Sequence, residues 1–299
     1  MKTTLVNLRP VWYAITAILV GLSIAFLGMW GLKQGIEFTG GSLLAVNFEG
    51  DRPSPVDTQR TLDEANLDVG SIVIQPVGEK DMQFRLKSLN EDEHQRLVDA
   101  LRAKHGTVTE LRFDAVGPVI GQELRQKSLT GLVVVLAAIL AYVAYAFRRV
   151  SGSIQSWKYG VVTIIASGFV VLVPLGLYAF LGRQYGVEIG TPFVAAILTI
   201  IGYSITDTIV VMDRVRENLQ KVSATFPEII EMSIRQTFVR SITNSMATLL
   251  TLTAIFVYGG DTLDEFTLPL IVGIVIGTFS SMLFATPLLV TWEKFGRRK

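Results

Sequence analysis

TPFVAAILTIIGYSITDTIVVMDR, residues Thr191–Arg214, is apolar enough to cross a bilayer, yet it holds an aspartate well inside the apolar run. With Asp213 and Arg214 marking the interfacial end, Asp207 lies six residues in. That is roughly 9 Å below the interface at a rise of about 1.5 Å per residue. An ionised carboxylate at such depth costs on the order of a few kcal/mol, and residues of this kind face a bundle interior or a water-filled cavity. Thr199, Tyr203, Ser204, Thr206 and Thr208 place hydrogen-bonding groups on other turns. A purely structural helix has little use for that polarity. The stretch reads as a proton- or ion-responsive transmembrane helix.

The rest of the chain agrees with a membrane setting. Of 299 residues, 50% are hydrophobic and most of these fall in long runs, which marks an integral membrane protein. A net charge of +1, with no basic run interleaved with aromatics, gives no sign of nucleic-acid binding. The absence of cysteine excludes disulfides, thiol catalysis and thiolate metal sites. The two histidines, His94 and His105, sit in a charged segment and do not make a metal cluster. No metal or cofactor is expected. The first apolar run, Val11 to Trp30, is longer than a typical signal core and lacks an A-x-A site after it, so it reads as an uncleaved first span.

Six spans are expected, at about 11–30, 129–147, 159–181, 191–212, 242–259 and 266–292, with a soluble insert at 31–128 after the first. This is a 1+5 arrangement: residues 1–30 form the N-terminus and first helix, 31–128 the insert, and 129–299 a five-helix domain with a connector at 213–241. Orientation follows from the basic residues. Lys2 and Arg9; Arg148, Arg149 and Lys158; Arg214, Arg216, Lys221, Arg235 and Arg240; and Lys294, Arg297, Arg298 and Lys299 fall on one side, against Arg183 alone in the two short loops opposite. Both termini are therefore expected in the cytoplasm and the insert on the periplasmic or extracellular face. The connector alternates charged and aliphatic residues and reads as a helix lying along the membrane surface.

The insert reads as a small α+β domain. SLLAVNF (Ser42–Phe48) alternates like a strand. Ser54-Pro55 opens a helix through Asn66, with serine as N-cap and proline at the first helical position. Ser71–Val77 and Met82–Lys87 are strands, Asn90–Lys104 is an amphipathic helix closed by Gly106, and Thr107–Phe113 is a last strand. The order βαββαβ is the split-βαβ, ferredoxin-like pattern. No nucleophile–base pair or metal-spaced ligand set appears in it, which favours a binding or gating module over a catalytic domain.

Four motifs, in order along the chain, resemble those of the SecD/SecF family. GIEFTGG (Gly35–Gly41) is similar to the D-F-T-G-G signature, and VGPVIG (Val116–Gly121) to the V-G-P-x-x-G segment. GYSITDTIVVMDRVREN (Gly202–Asn218) resembles the G-Y-S-x-N-D-[ST]-I-V-V-x-D-R-x-R-E-N block of the SecF branch, and RSITNS (Arg240–Ser245) its R-T-x-x-[TN]-S stretch. The resemblance implies half of an RND-type transporter that pairs with SecD. It further implies assistance to the SecY-E-G channel in exporting unfolded precursor proteins, driven by the proton gradient, with Asp207 and Arg240 as the proton-responsive positions. The chain departs from the pattern in three places. Glu37, next to Phe38, replaces the usual aspartate and Thr206 the usual asparagine. Ile165–Phe169 lacks the His-Asp pair that many relatives carry in the third span.

Each position also has a plainer reading. Asp207 is otherwise a carboxylate that ties helices together through Ser, Thr or Tyr neighbours, and Arg240 a positive anchor at the lip of its span. Tyr203, Ser204, Thr206 and Asn244 are supporting polar groups, with Asn244, Thr248 and Thr251 suited to joining helices. Asp213 and Arg214 are interfacial. Gly40-Gly41 and Gly117-Pro118 flank the insert as turns or hinges. Gly273, Gly277 and Ser281 form a small-residue stripe on the last span, a face for packing against another helix. Two function classes compete with proton-coupled export: a non-energised subunit that stabilises assembly with SecD, and an intramembrane aspartyl protease. The protease needs two facing carboxylates, and Asp207 is the one acidic residue deep in an expected span. A complete RND exporter is disfavoured because the chain holds a single half.

Overall fold

In the computed structural model the described residues are 4–65, 67, 69–70, 72–146 and 156–296. Lys2, Arg148, Arg149, Arg297, Arg298 and Lys299, on which the expected orientation partly rests, lie outside them, as do Asn66 and Ser71. The chain divides into two compact units, Gln34–Leu129 and Met1–Lys33 with Thr130–Lys299.

In the first unit, α3 (Ile36–Thr39) leads into β1 (Gly41–Phe48), α4 (Pro55–Glu64), β2 (Val73–Val77), β3 (Asp81–Leu86), α5 (Glu91–His105) and β4 (Val108–Val116). The strands form an antiparallel sheet in the order β2-β3-β1-β4. Period-2 alternation sends Leu44, Val46, Phe48, Met82 and Phe84 to one face, where Leu62 of α4 and Leu97 and Leu101 of α5 complete a fully buried core. Caps fix both helices. The Ser54 hydroxyl accepts the Asp57 amide at 3.1 Å, and Asn90 and Glu93 form a reciprocal capping box. β4 runs three residues past its expected end at Phe113, because its pairing with β1 continues to Gly41↔Val116. The register shifts between Ala45 and Val46, leaving Leu111 as an exposed bulge residue.

α6 (Pro118–Ala146) is helical over residues 129–146 of the expected second span but, by its described residues, is not among the helices long and apolar enough to cross a membrane; position 147 lies outside the described residues. Among the described residues, five helical stretches are long and apolar enough to cross a membrane: Arg9–Trp30, Lys158–Tyr185, Thr191–Lys221, Phe226–Tyr258 and Leu263–Glu293. Preceded by the short α1 (Thr4–Asn7), they correspond to α2 (Arg9–Trp30), α7 (Ser156–Tyr185), α8 (Thr191–Lys221), α9 (Phe226–Tyr258) and a last span in three parts. That span is α10 (Asp261–Phe279), a π-helical turn (Ser280–Ala285) and α11 (Thr286–Gly296). Tyr159, Val162, Ala166 and Val170 of α7 and Ile197, Ile200 and Ile201 of α8 form the centre of the core.

Two features of the long helices also depart from expectation. The connector at 213–241 is not a separate surface helix: α8 continues to Lys221, and after four residues α9 starts at Phe226 with a Thr225–Glu228 capping box. Burial of Val215 and Asn218 against Phe226, Ile229, Ile230 and Ile234 holds this long hairpin, and Asn218 Nδ2 donates to Ser233 Oγ at 2.8 Å and to Gln236 Oε1 at 2.9 Å. The π turn is the second feature, and its cause is Pro287. Proline has no amide to give the Leu283 carbonyl, and its ring crowds that oxygen, so the preceding turn widens.

Candidate functional site

Asp207 is half-buried on α8, in contact with two other segments. Ser241 Oγ, on α9, donates to Asp207 Oδ1 at 2.6 Å, and Ser281 Oγ, in the π turn, donates to Asp207 Oδ2. The last span reaches the aspartate through its small-residue stripe. A Cβ at Gly273 meets Ile200 at 2.3 Å, one at Gly277 meets Ser204 at 3.3 Å, and the third member of the stripe is Ser281. The contacts advance in the same order along both segments, so α8 and the last span run side by side in parallel, and the glycines let their backbones close to the distance at which Ser281 touches Asp207. One turn earlier, Tyr203 Oη donates to Ser245 Oγ at 3.2 Å, and Ser245 Oγ shares a hydrogen bond with Thr278 Oγ1 at 2.6 Å. Two tiers of polar contacts therefore join α8, α9 and the last span.

Arg240 is exposed on α9 beside Ser241, and among the described residues it forms no ion pair with Asp207. Thr206 is also exposed and its hydroxyl donates to the Gly202 carbonyl of its own helix, so it does not orient the carboxylate. Ser204 is buried against Gly277 with its Oγ unpartnered. Asn244 is exposed. Asp213 is exposed with Arg216 3.9 Å away, and Arg214 bonds Glu217 and, at 2.7 Å, Gln236. The third-span stretch contributes Ser167 and Gly168 to an apolar cavity of about 270 Å³ between α6, α7 and α8, and the Ser167 hydroxyl is spent on the Thr163 carbonyl. Sequence reasoning found the aspartate and the stripe separately; the helical spacing of 200, 204, 207, at steps of four and three, beside that of 273, 277, 281, at steps of four, was the signal that joins them.

In the other unit, the two flanking motifs pack on each other. Gly40 and Gly41 both have positive φ, 73° and 132°, and a Cβ on Gly40 comes within 2.8 Å of the Pro118 backbone. A Cβ on Gly121 lies 2.8 Å from the Gly40 amide. Glycine is required here for close approach. Glu37 is half-buried and Phe38 buried in α3, and Gly117 carries the chain from β4 into α6.

Residues 97–295 match the family model described as protein export membrane protein SecD/SecF, C-terminal. The chain belongs to the SecD/SecF family. Its relatives include the protein translocase subunit SecF of Thermobaculum terrenum, 37% identical over 97% of this chain and 93% of that protein. The protein translocase subunit SecDF of Thermus thermophilus is 36% identical over 96% of this chain but only 38% of its own length. The crystal structure of Thermus SecDF, described as a translocon-associated membrane protein, superposes with a TM-score of 0.83 at 33% identity, over 97% of this chain and 38% of that one. The present chain thus corresponds to less than half of SecDF and nearly the whole of SecF. With its apolar helices, this SecD/SecF member is a membrane-integral protein.

Proposed function

We propose that this SecD/SecF-family chain is an accessory subunit of protein export that works with SecD to promote translocation of unfolded precursors through the SecY-E-G channel, using the proton motive force. Relatives named as SecF and SecDF translocase subunits support the export role and the pairing with SecD. The observation that carries the coupling reading is Asp207: a carboxylate inside an apolar span, held by serines from two other segments, with no paired cation among the described residues. A proton crossing a gradient of roughly 180 mV delivers about 4 kcal/mol, at about 2.3 kcal/mol per 100 mV. That biases a two-state packing change by about three orders of magnitude. In this reading the helices form six spans, both termini are cytoplasmic, and the Gln34–Leu129 unit lies on the outer face, able to meet emerging substrate. Arg240, next to the serine that binds Asp207, is the cation nearest along α9 for a second state.

A second reading has support in the same contacts, since Asp207 ties three helical segments together whether or not it titrates. Asp207→Asn separates the two. Coupling predicts that export of a slowly processed precursor falls to the level of a strain lacking this chain, while assembly with SecD persists. Loss of assembly marks Asp207 as a structural tie, and wild-type export sinks the coupling reading.

A further inference from the structure

Ser281 is placed to sense which form Asp207 is in. Its Oγ lies within reach of two acceptors, Asp207 Oδ2 and, at 3.1 Å, the Thr278 carbonyl. A hydroxyl carries one hydrogen, so it serves one of them at a time. Towards an ionised Asp207 the charge-assisted bond wins, being roughly twice as strong as a neutral one. Once the carboxyl takes a proton it becomes a donor and needs an acceptor. Ser281 Oγ becomes that acceptor if its own hydrogen turns to the Thr278 carbonyl. Ser241 has no such alternative: among the described residues its hydroxyl bonds Asp207 alone.

The surroundings of Ser281 carry unspent hydrogen-bonding groups among the described residues. It lies in the π turn before Pro287, wider than an α-helical turn, and its carbonyl accepts the Thr286 hydroxyl at 2.7 Å. Ser280 Oγ in the same turn and Ser204 Oγ on α8 are buried without partners among the described residues, so the contact holds spare hydrogen-bonding capacity on both helices. The groups that touch Asp207 are the hydroxyls of Ser241 from α9 and Ser281 from the π turn. The charged residues nearest along those helices, Arg240 on α9 and Asp213 and Arg214 on α8, form no ion pair with it.

We propose that Ser281 is a positioning residue that transmits the protonation state of Asp207 to the π turn of the last span. The inference rests on the coupling reading above and names the element that responds.

The test uses the purified full chain in lipid vesicles, with infrared difference spectra taken between acidic and alkaline buffer. The carboxyl C=O band missing in Asp207→Asn belongs to Asp207. Ser281→Ala is expected to shift that band to higher wavenumber, and Ser281→Thr, which keeps the hydroxyl, to restore it. In cells, Ser281→Ala is expected to lower gradient-driven export about tenfold at unchanged chain level, the loss of one hydrogen bond to a charged group, with Ser281→Thr near wild type. If Asp207→Asn abolishes export while Ser281→Ala changes neither band nor rate, the Ser281 inference alone is overturned. If both serine variants lose export with the band unmoved, packing damage is the cause and the inference is again overturned. If Asp207→Asn exports normally, the coupling reading fails, and the Ser281 inference fails with it.

Discussion

Glu231 and Asp207 are both acids inside the helical unit, yet their surroundings differ. Glu231 is fully buried on α9, where Oε2 accepts the Val6 amide at 3.0 Å and Oε1 accepts Arg235 Nε at 2.8 Å. A cation and an amide compensate its charge, and it fastens the N-terminal α1 to α9. Asp207 has two hydroxyls instead, which suit either protonation state. Glu231→Ala is expected to lower stability by about 1–3 kcal/mol by orphaning the Val6 amide, and Glu231→Gln by less, because an acceptor oxygen remains; thermal unfolding in detergent measures both. In the Gln34–Leu129 unit His105 provides a pH test. Burial first, and the charge of Lys104 second, hold its pKa below the ordinary 6.5, while Asp57 pulls the other way. The Thr61 hydroxyl donates to the Asp57 carbonyl, so its oxygen accepts from His105 Nε2 at 2.9 Å and the neutral ring is sufficient. A depressed folded value means that the unfolded chain binds the proton more readily. The contribution of His105 is therefore intact above 6.5 and is lost as pH falls through the depressed folded value. Proteolysis of this unit in the full chain should accelerate over that window, and His105→Gln should flatten the dependence.

At the scale of elements, the contact between α8 and the last span is set by glycine. Gly273→Ala places a methyl 2.3 Å from Ile200, and the helices must part. Overpacking of this kind costs about 1–3 kcal/mol, and it also draws Ser281 away from Asp207, so stability and export should fall together. Gly168→Ala is the contrast. Nothing lies within 4 Å of its Cβ, at the edge of the apolar cavity, and a better helix former should raise stability by up to about 1 kcal/mol. Unfolding midpoints of the two variants, measured side by side, decide whether close packing or helix propensity governs. The elements also differ in how far they were legible in the sequence. Leu44, Val46 and Phe48 alternate, and Ser54 and Asn90 announce their caps, so the order and type of elements in the Gln34–Leu129 unit follow from local rules. β4 outran its pattern because Asp114 and Ala115 are not strand-like by themselves and only the β1 partner extends them. The α8–α9 hairpin looked like a surface helix because its charges were visible and its mate was not. Asp207 was legible as a lone acid in an apolar run. Its partners were not, since serines in helices commonly bond their own backbone and only the three-dimensional register selects Ser241 and Ser281.

Across the whole helical unit burial is uneven. Within the most apolar window of each span, 56% is buried in Lys158–Tyr185 and in Leu263–Glu293, but only 11% in Arg9–Trp30 and in Phe226–Tyr258. The exposed surface of α9 has two characters. Val239, Ile242, Met246 and Leu250 make one apolar stripe, which lipid satisfies. Arg240, Asn244 and Thr251 are also exposed, and with the half-buried Thr248 they recur at spacings of four, four and three, on another side of the helix. Hydrocarbon cannot satisfy a guanidinium and an amide there, so this stripe calls for a protein partner or a water-filled seam. SecD is the partner in the proposed assembly, and the Thermus SecDF chain, of which this one spans 38%, carries further chain beyond the matching part. The absence of cysteine makes the test direct. A cysteine introduced as Asn244→Cys should cross-link to SecD in native membranes, whereas Ile242→Cys and Met246→Cys should react with a lipid-soluble probe and leave SecD unlinked. Cross-linking from Met246→Cys but not from Asn244→Cys would put SecD on the apolar stripe. It would leave Arg240 and Asn244 facing water, and in the proposed coupling that water gives a proton access to Asp207 and its two serines.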